Sequence, residues 1–139
     1  MNSKDKGNIG EAIVLAEFTK RQIQVAIPFG DNARYDLIAE FNGKLNKIQV
    51  KYCGQITENN SFICPCASST NHTTNKHLST YDNDVDFFAT MHEGECYLIP
   101  YHLCGKRTQR IRFVPTKSGQ TKGILFAKDF HLEDIIKTL

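Results

Sequence analysis

The fold is set by two strands and the tight turn between them, which lie together in Arg34-Tyr-Asp-Leu-Ile-Ala-Glu-Phe-Asn-Gly-Lys-Leu-Asn-Lys-Ile-Gln-Val-Lys51. Asn42-Gly43 is a strong signal for a two-residue hairpin loop, because both positions tolerate a positive φ. The flanking patterns indicate strands over Arg34–Phe41 and Asn46–Tyr52. We therefore expect an antiparallel hairpin in the central sheet.

The loop also sets the register of this hairpin. If Asn42-Gly43 forms the loop, Leu37 faces Ile48 and Tyr35 faces Val50. One side of the hairpin is then apolar, as expected for a face that packs against the core.

The other side of the hairpin carries groups that are typical of metal-dependent hydrolysis. Asp36 faces Gln49, and Lys51 projects on the same side two residues further along. Carboxylate and carboxamide oxygens suit Mg²⁺, which keeps several waters and takes other ligands from a substrate phosphate. A nearby lysine can orient or deprotonate the attacking water, or neutralise charge on the phosphate. The structural alternative is a cross-strand ion pair between Asp36 and Lys51 on a solvated face.

A helix is predicted over residues 7–21, before the sheet. Its apolar residues recur at helical spacing and form the expected buried stripe: Ile9, Ala12, Ile13 and Ala16. Glu11 on this helix is the candidate second carboxylate of the site. Asn8 is the predicted N-cap, and Asn8 with Glu11 also matches a capping box, which would explain the acid without any chemistry.

The remaining chain is predicted to extend the sheet and to close with a helix. The expected elements are a strand over Gln22–Pro28, a polar excursion over residues 54–80 with a short ribbon around Phe62–Cys66, a hairpin of Val85–His92 and Glu95–Tyr101 around Glu93-Gly94, a ribbon through Arg110–Val114 and Ile124–Phe126, and a helix over Asp129–Leu139.

Length and composition indicate one ordinary domain over residues 1–139, with a net charge of +2 and a mean hydropathy of −0.38. The sequence has no apolar run long enough to span a membrane, and its polar start lacks the apolar region of a secretory signal, so we expect a cytoplasmic protein. The five cysteines are expected to be mostly small buried hydrophobes in a reducing compartment: Cys53, Cys64, Cys66, Cys96 and Cys104.

The candidate site residues resemble, in type and order, the core of the PD-(D/E)xK nucleases. Asp36 matches the motif aspartate, Gln49-Val-Lys51 stands in the place of (D/E)xK, and Glu11 matches the acid of the first helix. The line Gly30–Lys44 with Ile48–Lys51 is similar in particular to bacterial homing endonucleases of this type that are encoded in group I introns. Two later segments match the same pattern, so the similarity covers most of the chain: Val85-Asp-Phe-Phe-Ala-Thr90 and Tyr97-Leu-Ile-Pro-Tyr101.

The resemblance implies an α/β fold of the restriction-endonuclease type. A central mixed β-sheet would be flanked by helices, with β-ribbon and loop extensions for DNA contact. The implied activity is site-specific hydrolysis of phosphodiester bonds in double-stranded DNA with Mg²⁺, for which Mn²⁺ is expected to substitute. The implied target is long and pseudo-palindromic, and the implied assembly is a homo-oligomer, a dimer of dimers.

The resemblance also assigns roles to residues. Glu11, Asp36, Gln49 and Lys51 would be catalytic. Metal ligands would be Asp36, the Gln49 side-chain oxygen, the Val50 carbonyl and Glu11, while Lys51 would contact the water or the scissile phosphate. Most relatives have an acid where Gln49 stands. Because a neutral oxygen binds metal less strongly, this difference questions the binding of two metals.

The net charge of +2 conceals a basic segment near the C-terminus. Between Tyr101 and Lys128 the chain has no acid, and six of its bases are candidate DNA-binding residues: Lys106, Arg107, Arg110, Arg112, Lys117 and Lys122. Arg110 and Arg112 would alternate on one strand face and reach base edges in a major groove. A solvated basic face is the structural alternative. The acidic residues from Asp82 to Glu95 are expected to face away from DNA or to meet a neighbouring subunit.

Three other functions remain open at this point. A Holliday-junction resolvase shares the same order of Glu, Asp and Lys, and a descendant inactivated at Gln49 would only bind DNA. A zinc-stabilised module is poorly supported, because a single Cys-x-Cys lacks the paired spacing of structural zinc sites. Its candidate ligands would be Cys53, Cys64, Cys66, His72 and His77.

Overall fold

The structure is a computed structural model that describes the backbone of residues 2–52, 61–72, 75–81 and 84–139. Its elements are α1 (Ser3–Lys20), β1 (Val25–Ala26), β2 (Leu37–Phe41), β3 (Lys44–Val50), β4 (Ser61–Pro65), β5 (Ala67–His72), β6 (Asn75–Thr80), β7 (Phe87–His92), β8 (Glu95–Pro100), β9 (Thr108–Arg112), β10 (Leu125–Phe126) and α2 (Leu132–Thr138). Short 3₁₀ turns span Tyr101–Leu103 and Ala127–Asp129.

The central sheet has the strand order β1-β2-β3-β7-β8. The β3–β7 pair is parallel and the other three pairs are antiparallel, so the predicted mixed sheet is confirmed. Asn42 and Gly43 adopt φ values of 52° and 85° in the turn between β2 and β3. The predicted register is also confirmed within the strands, where Leu37 pairs with Ile48.

The ladder between β2 and β3 ends earlier than predicted. Leu37–Ile48 is its last pair, and the next backbone nitrogen, that of Asp36, donates to the carbonyl of Ile48 at 2.8 Å. The expected backbone pairs of Tyr35 with Val50 and of Asp36 with Gln49 therefore do not form. The reason is local: the Asp36 side chain, instead of a backbone carbonyl, accepts the N–H of Val50.

Helix α1 begins earlier than predicted and buries a different face. Its N-cap is Asn2, whose side chain accepts the N–H of Asp5 at 2.8 Å, so Asn8 lies inside the helix and the capping box with Glu11 was wrong. The buried residues are Gly10, Val14 and Phe18. The predicted stripe was wrong and is exposed instead: Ile9, Ala12, Ile13 and Ala16. Apolar residues occur on more than one side of this helix, so their spacing does not single out one face.

Apolar side chains cover both faces of the central sheet. On the α1 side, Phe41 packs edge-to-face against Phe18 and Phe87, with ring centres 6.0 and 5.8 Å away. On the other side, Phe88 packs against Tyr81 and Tyr101. Because both faces are covered, β7 reads as a continuous apolar run instead of an alternating one.

A second sheet has the order β10-β9-β4. Strand β9 runs antiparallel to β4 and parallel to β10. The predicted pairing of Arg110–Val114 with Ile124–Phe126 is confirmed at Ile111–Leu125 and Arg112–Phe126. The two strands run parallel, however, and the antiparallel partner of β9 is β4. The short ribbon expected around Phe62–Cys66 corresponds to this β4–β9 pairing.

Two further regions differ from the sequence-based expectations. The excursion over residues 54–80 contains the antiparallel pair β5–β6, which its polar sequence did not predict. Of the strand expected over Gln22–Pro28, only Val25–Ala26 pairs with a neighbour. Cys64, Cys66 and Cys96 are buried free thiols and Cys104 is half-buried, as expected for small hydrophobes, while Cys53 lies outside the described residues.

The closing helix α2 packs against β8 and buries Leu132 and Ile135. Arg21 joins it to α1 by pairing with Glu17 and Glu133. Across the described ranges, the structure contains no helix long and apolar enough to cross a membrane.

Candidate active site

Asp36 lies where the hairpin ladder ends, and its carboxylate is fixed across the gap. The Oδ2 atom accepts the backbone N–H of Val50 at 2.9 Å. Burial raises the pKa of Asp36, while the Val50 N–H and the charge of Lys51 partly oppose that rise. The carboxylate is therefore held against the backbone of Val50 and interacts with the charge of Lys51.

Glu11 reaches this region from α1. The preceding residue, Gly10, is buried and faces the side chains of Val50 and Tyr52, so α1 lies next to the end of β3. Burial and the negative charge of Asp36 both raise the pKa of Glu11. The structure therefore brings the two predicted carboxylates close enough to repel each other.

Lys51 follows β3 directly, and both its backbone and its side chain are held. Its N–H donates to the carbonyl of Ala89 at 2.9 Å, and its Nζ donates to the hydroxyl of Tyr81 at 2.9 Å. The charge of Lys51 lowers the pKa of Asp36, so the two groups interact. No ion pair joins them among the described side chains, which excludes the predicted structural alternative of a cross-strand salt bridge.

Gln49 pairs with Phe88 in the β3–β7 ladder and is half-buried. A cleft of about 210 Å³ opens next to these residues, between α1 and the ends of the central strands. Its lining includes Gly10, Val50, Lys51 and His92. The candidate site therefore lies beside an open cleft at the ends of the inner strands β3 and β7.

The donor set at this site fits a hard divalent cation. Burial raises the pKa values of both carboxyl groups, and a nearby cation would stabilise their charged forms. Mg²⁺ prefers carboxylate, carboxamide and carbonyl oxygens as ligands. In the part of the chain that is described, no three His, Cys, Asp or Glu side chains gather into a metal-binding group. Neutral oxygens such as those of Gln49 and Val50 would therefore have to complete the set.

Tyr81 and Arg34 also lie at this site, although no sequence pattern selects them. The Arg34 guanidinium lies 4.7 Å from the centre of the Tyr81 ring and pairs with Asp84 at 3.4 Å. Asp84 therefore lies beside the site. That the acidic residues from Asp82 to Glu95 face away from DNA or meet a neighbouring subunit stays a prediction. Tyr81 follows a long polar segment, and only the tertiary fold brings it to Lys51.

The candidate DNA-binding residues lie on and around β9, in the second sheet. Most of them are exposed: Lys106, Arg107, Arg110, Lys117 and Lys122. Arg112 is half-buried, and its guanidinium donates to the carbonyls of Val114 and Pro115 at 3.1 and 3.4 Å. Arg112 thus also anchors the segment that follows β9.

The zinc-stabilised module gains no support from the described residues. Cys53 and the side chains of His72 and His77 lie outside the described part of the structure. Cys66 donates its thiol to the carbonyl of Cys64 at 3.3 Å. Cys66 also interacts with the thiols of Cys64 and Cys104, and no metal-binding group is found among the described residues.

Comparison with known proteins agrees with this geometry. The chain matches no curated protein sequence. Its structure is similar to that of I-Ssp6803I, a bacterial homing endonuclease, with a TM-score of 0.76, 23% identity, and coverage of 99% of this chain and 95% of that chain. At this identity the likeness establishes a common fold, which confirms the predicted restriction-endonuclease-like architecture. The sequence profile of the PD-(D/E)XK endonucleases matches residues 1–133, so the chain belongs to the PD-(D/E)XK endonuclease family.

Proposed function

We propose that this protein is a site-specific homing endonuclease that hydrolyses phosphodiester bonds in double-stranded DNA with a divalent metal ion. The observation that carries the proposal is the meeting of Glu11, Asp36 and Lys51 around the end of β3, with Asp36 fixed by the N–H of Val50. This arrangement combines anionic oxygens with one held cation, which suits a phosphodiester substrate. Family membership supports the same reaction.

Mg²⁺ is the proposed cofactor, with Mn²⁺ as a substitute. Asp36, Glu11, the side-chain oxygen of Gln49 and the carbonyl of Val50 would hold it. A divalent cation at such a site stabilises the negative charge of the phosphate and lowers the pKa of a bound water. Because Gln49 is neutral where a carboxylate is common, we expect weaker metal binding than a third acid would give.

Each catalytic residue has a proposed task. Lys51 contributes N–H groups to the attacking water or to an oxygen of the scissile phosphate. Asp36 is held in one orientation by Val50, so little reorganisation is needed when substrate arrives. Glu11 adds the second negative charge from α1.

The exposed bases around β9 form the proposed DNA interface. Arg110 lies on the opposite face of β9 from the buried Ile111 and is free to meet a groove. The lysines in the flanking loops would contact phosphates and supply most of the salt-dependent affinity. We propose a long pseudo-palindromic target and a single domain acting within a homo-oligomer, a dimer of dimers.

Exposed apolar residues on α1 support self-association. Ile9 and Ile13 on α1 are 40% and 41% exposed, and Ile13 also lines the cleft beside Lys51. Light scattering over a range of concentrations should give a mass that is a multiple of 15.8 kDa. A mass of 15.8 kDa throughout would exclude the oligomer. Encoding within a group I intron is part of the same proposal, and the genomic surroundings of the gene test it.

The deciding experiment maps the DNA ends that the purified protein creates. Genomic DNA and a random-sequence library are incubated with Mg²⁺, with Mn²⁺, or with a chelator, and new ends are sequenced. We expect cuts at one recurring sequence, only with metal, and none with Asp36→Asn. Cleavage of four-way junctions irrespective of sequence would favour a resolvase instead. Tight DNA binding without cleavage under any condition would indicate an inactive DNA-binding protein.

A further inference from the structure

One buried ring at the candidate active site holds two cationic side chains. The Nζ of Lys51 lies 4.6 Å from the centre of the Tyr81 ring, and the guanidinium carbon of Arg34 lies 4.7 Å from it. Lys51 also donates a hydrogen bond to the Tyr81 hydroxyl at 2.9 Å. Like charges held near each other are unfavourable, but the negative face of an aromatic ring attracts both.

The Tyr81 ring is itself firmly anchored. Tyr81 is only 4% exposed and packs edge-to-face against Phe88, which is fully buried, with ring centres 5.7 Å apart. A phenylalanine would fill the same space. A buried hydroxyl is unfavourable unless it is hydrogen-bonded, and its partner here is Lys51. The hydroxyl therefore binds Lys51, whereas the ring packs in the core.

The hydrogen-bond inventory explains what this contact leaves available. An ammonium has three N–H donors, and Lys51 gives one of them to Tyr81. Two donors remain for a water and a phosphate oxygen. Because a lysine side chain otherwise samples many rotamers, fixing it in the free protein removes an entropy cost from the cleavage step.

We propose that Tyr81 is a positioning residue that sets Lys51 and Arg34 as a pair of cations against the DNA backbone. Lys51 contacts the scissile phosphate. Arg34, which forms an ion pair with Asp84, contacts a neighbouring phosphate. The inference rests on the proposed nuclease function and adds two residues, Tyr81 and Arg34, to its site.

The first test compares Tyr81→Phe with the wild type in single-turnover cleavage at saturating protein with Mg²⁺. Loss of one hydrogen bond to a charged group should slow cleavage by about tenfold. The Kd for DNA and the melting temperature should stay unchanged, because the ring is retained. Tyr97→Phe is the matched control, since Tyr97 is a buried tyrosine packed among Phe62, Phe113 and His131, and it should cut at the wild-type rate. A Tyr81→Phe protein that cuts as fast as the wild type overturns the inference.

The second test addresses Arg34 through the salt dependence of DNA binding. Removing one phosphate contact should lower the slope of log Kd against log salt by about one. We expect this change for Arg34→Ala but not for Tyr81→Phe. An Arg34→Ala protein with the wild-type slope would remove Arg34 from the interface.

A third measurement separates this inference from the proposed function. Nitrogen-15 NMR of lysine side chains reports whether the Lys51 ammonium is ordered in the free protein. We expect an ordered signal in the wild type and a mobile one in Tyr81→Phe. If the wild type cuts no DNA but this difference is seen, the nuclease proposal fails while the positioning of Lys51 by Tyr81 stands. Equal mobility in both proteins refutes the positioning role, whatever the activity.

Discussion

Asp36 serves the fold and the candidate site with the same carboxylate. Its Oδ2 accepts the N–H of Val50 at the point where the ladder between β2 and β3 ends. Asp36→Asn keeps an acceptor oxygen, so we expect nearly wild-type stability but a loss of cleavage of about a thousandfold or more, because the proposed metal ligand loses its negative charge. Asp36→Ala leaves the Val50 N–H without its acceptor and should lower the free energy of unfolding by about 1–3 kcal/mol.

Urea unfolding and plasmid cleavage together check both expectations for Asp36. If the asparagine variant cut at the wild-type rate, Asp36 would not be a metal ligand. If the alanine and asparagine variants were equally stable, the contact with Val50 would contribute nothing to the fold.

Glu11 predicts a pH dependence of stability that can be tested by substitution. Burial and Asp36 raise its pKa above the ordinary value of 4.5. A carboxyl whose pKa is raised on folding contributes stability that is fully present below 4.5 and is lost as the pH rises through the folded pKa. Glu11→Gln should therefore raise the melting temperature of the metal-free protein at pH 7, and this gain should disappear below pH 4.5.

Glu17 on the same helix provides a control of opposite sign. Hydrogen bonds from Arg21 and Lys20 lower its pKa, so Glu17→Gln should lower the melting temperature at pH 7. Mg²⁺ should raise the melting temperature of the wild type more than that of the Glu11→Gln variant. Melting curves at several pH values decide the matter, and the same sign for both variants would contradict the assignment of Glu11 to the site.

At the scale of elements, strand β9 presents two arginines with different surroundings. Arg110 is exposed, whereas Arg112 donates to the carbonyls of Val114 and Pro115. We expect Arg110→Ala to weaken DNA binding and lower the salt slope by about one without any change in melting temperature. Arg112→Ala should also destabilise the protein, since two carbonyls lose a donor. Fluorescence anisotropy at several salt concentrations and thermal melts check this, and equal stabilities would show that the loop contacts of Arg112 are unimportant.

Local turn chemistry made some elements predictable from sequence, and long-range packing hid others. Asn42-Gly43 and Glu93-Gly94 adopt the positive φ that their hairpins require. The pairing of β2 with β3 and of β7 with β8 could therefore be predicted from these turn residues. Helix α1 was predicted with the wrong buried face, because Ile9 and Ile13 compete with Val14 and Phe18 in the same pattern. The parallel pairing of β9 with β10 depends on a return of the chain that no local residue encodes.

The candidate site divides in the same way. Asp36, Gln49 and Lys51 come from one hairpin, so its turn was enough to place them near each other in sequence-based reasoning, although the predicted Asp36–Gln49 pair does not form. Glu11 could be selected because its helix adjoins that hairpin in sequence. Tyr81 could not be selected from the sequence, because β4, β5 and β6 separate it from Lys51 along the chain.

At the scale of the whole molecule, the position of charge matters more than its sum of +2. Exposed bases surround β9, while Lys44 and Lys137 lie at the end of the central sheet where Asn42 contacts the carbonyls of Ile136 and Leu139. That end is the turn side of the hairpin, remote from Asp36 and Lys51. A change of charge at that end should therefore have little effect on DNA binding.

Two double variants with equal net charge test this polarity. Lys117→Glu with Lys122→Glu should weaken DNA binding by about tenfold or more, because two phosphate contacts are lost and two repulsions are added. The slope of log Kd against log salt should fall by about two. Lys44→Glu with Lys137→Glu changes the net charge equally but should leave Kd within about twofold, since screening reduces interactions beyond about 10 Å. Binding titrations from low to high salt measure both effects. Equal weakening by the two variants would mean that total charge, and not the basic face around β9, governs the encounter with DNA.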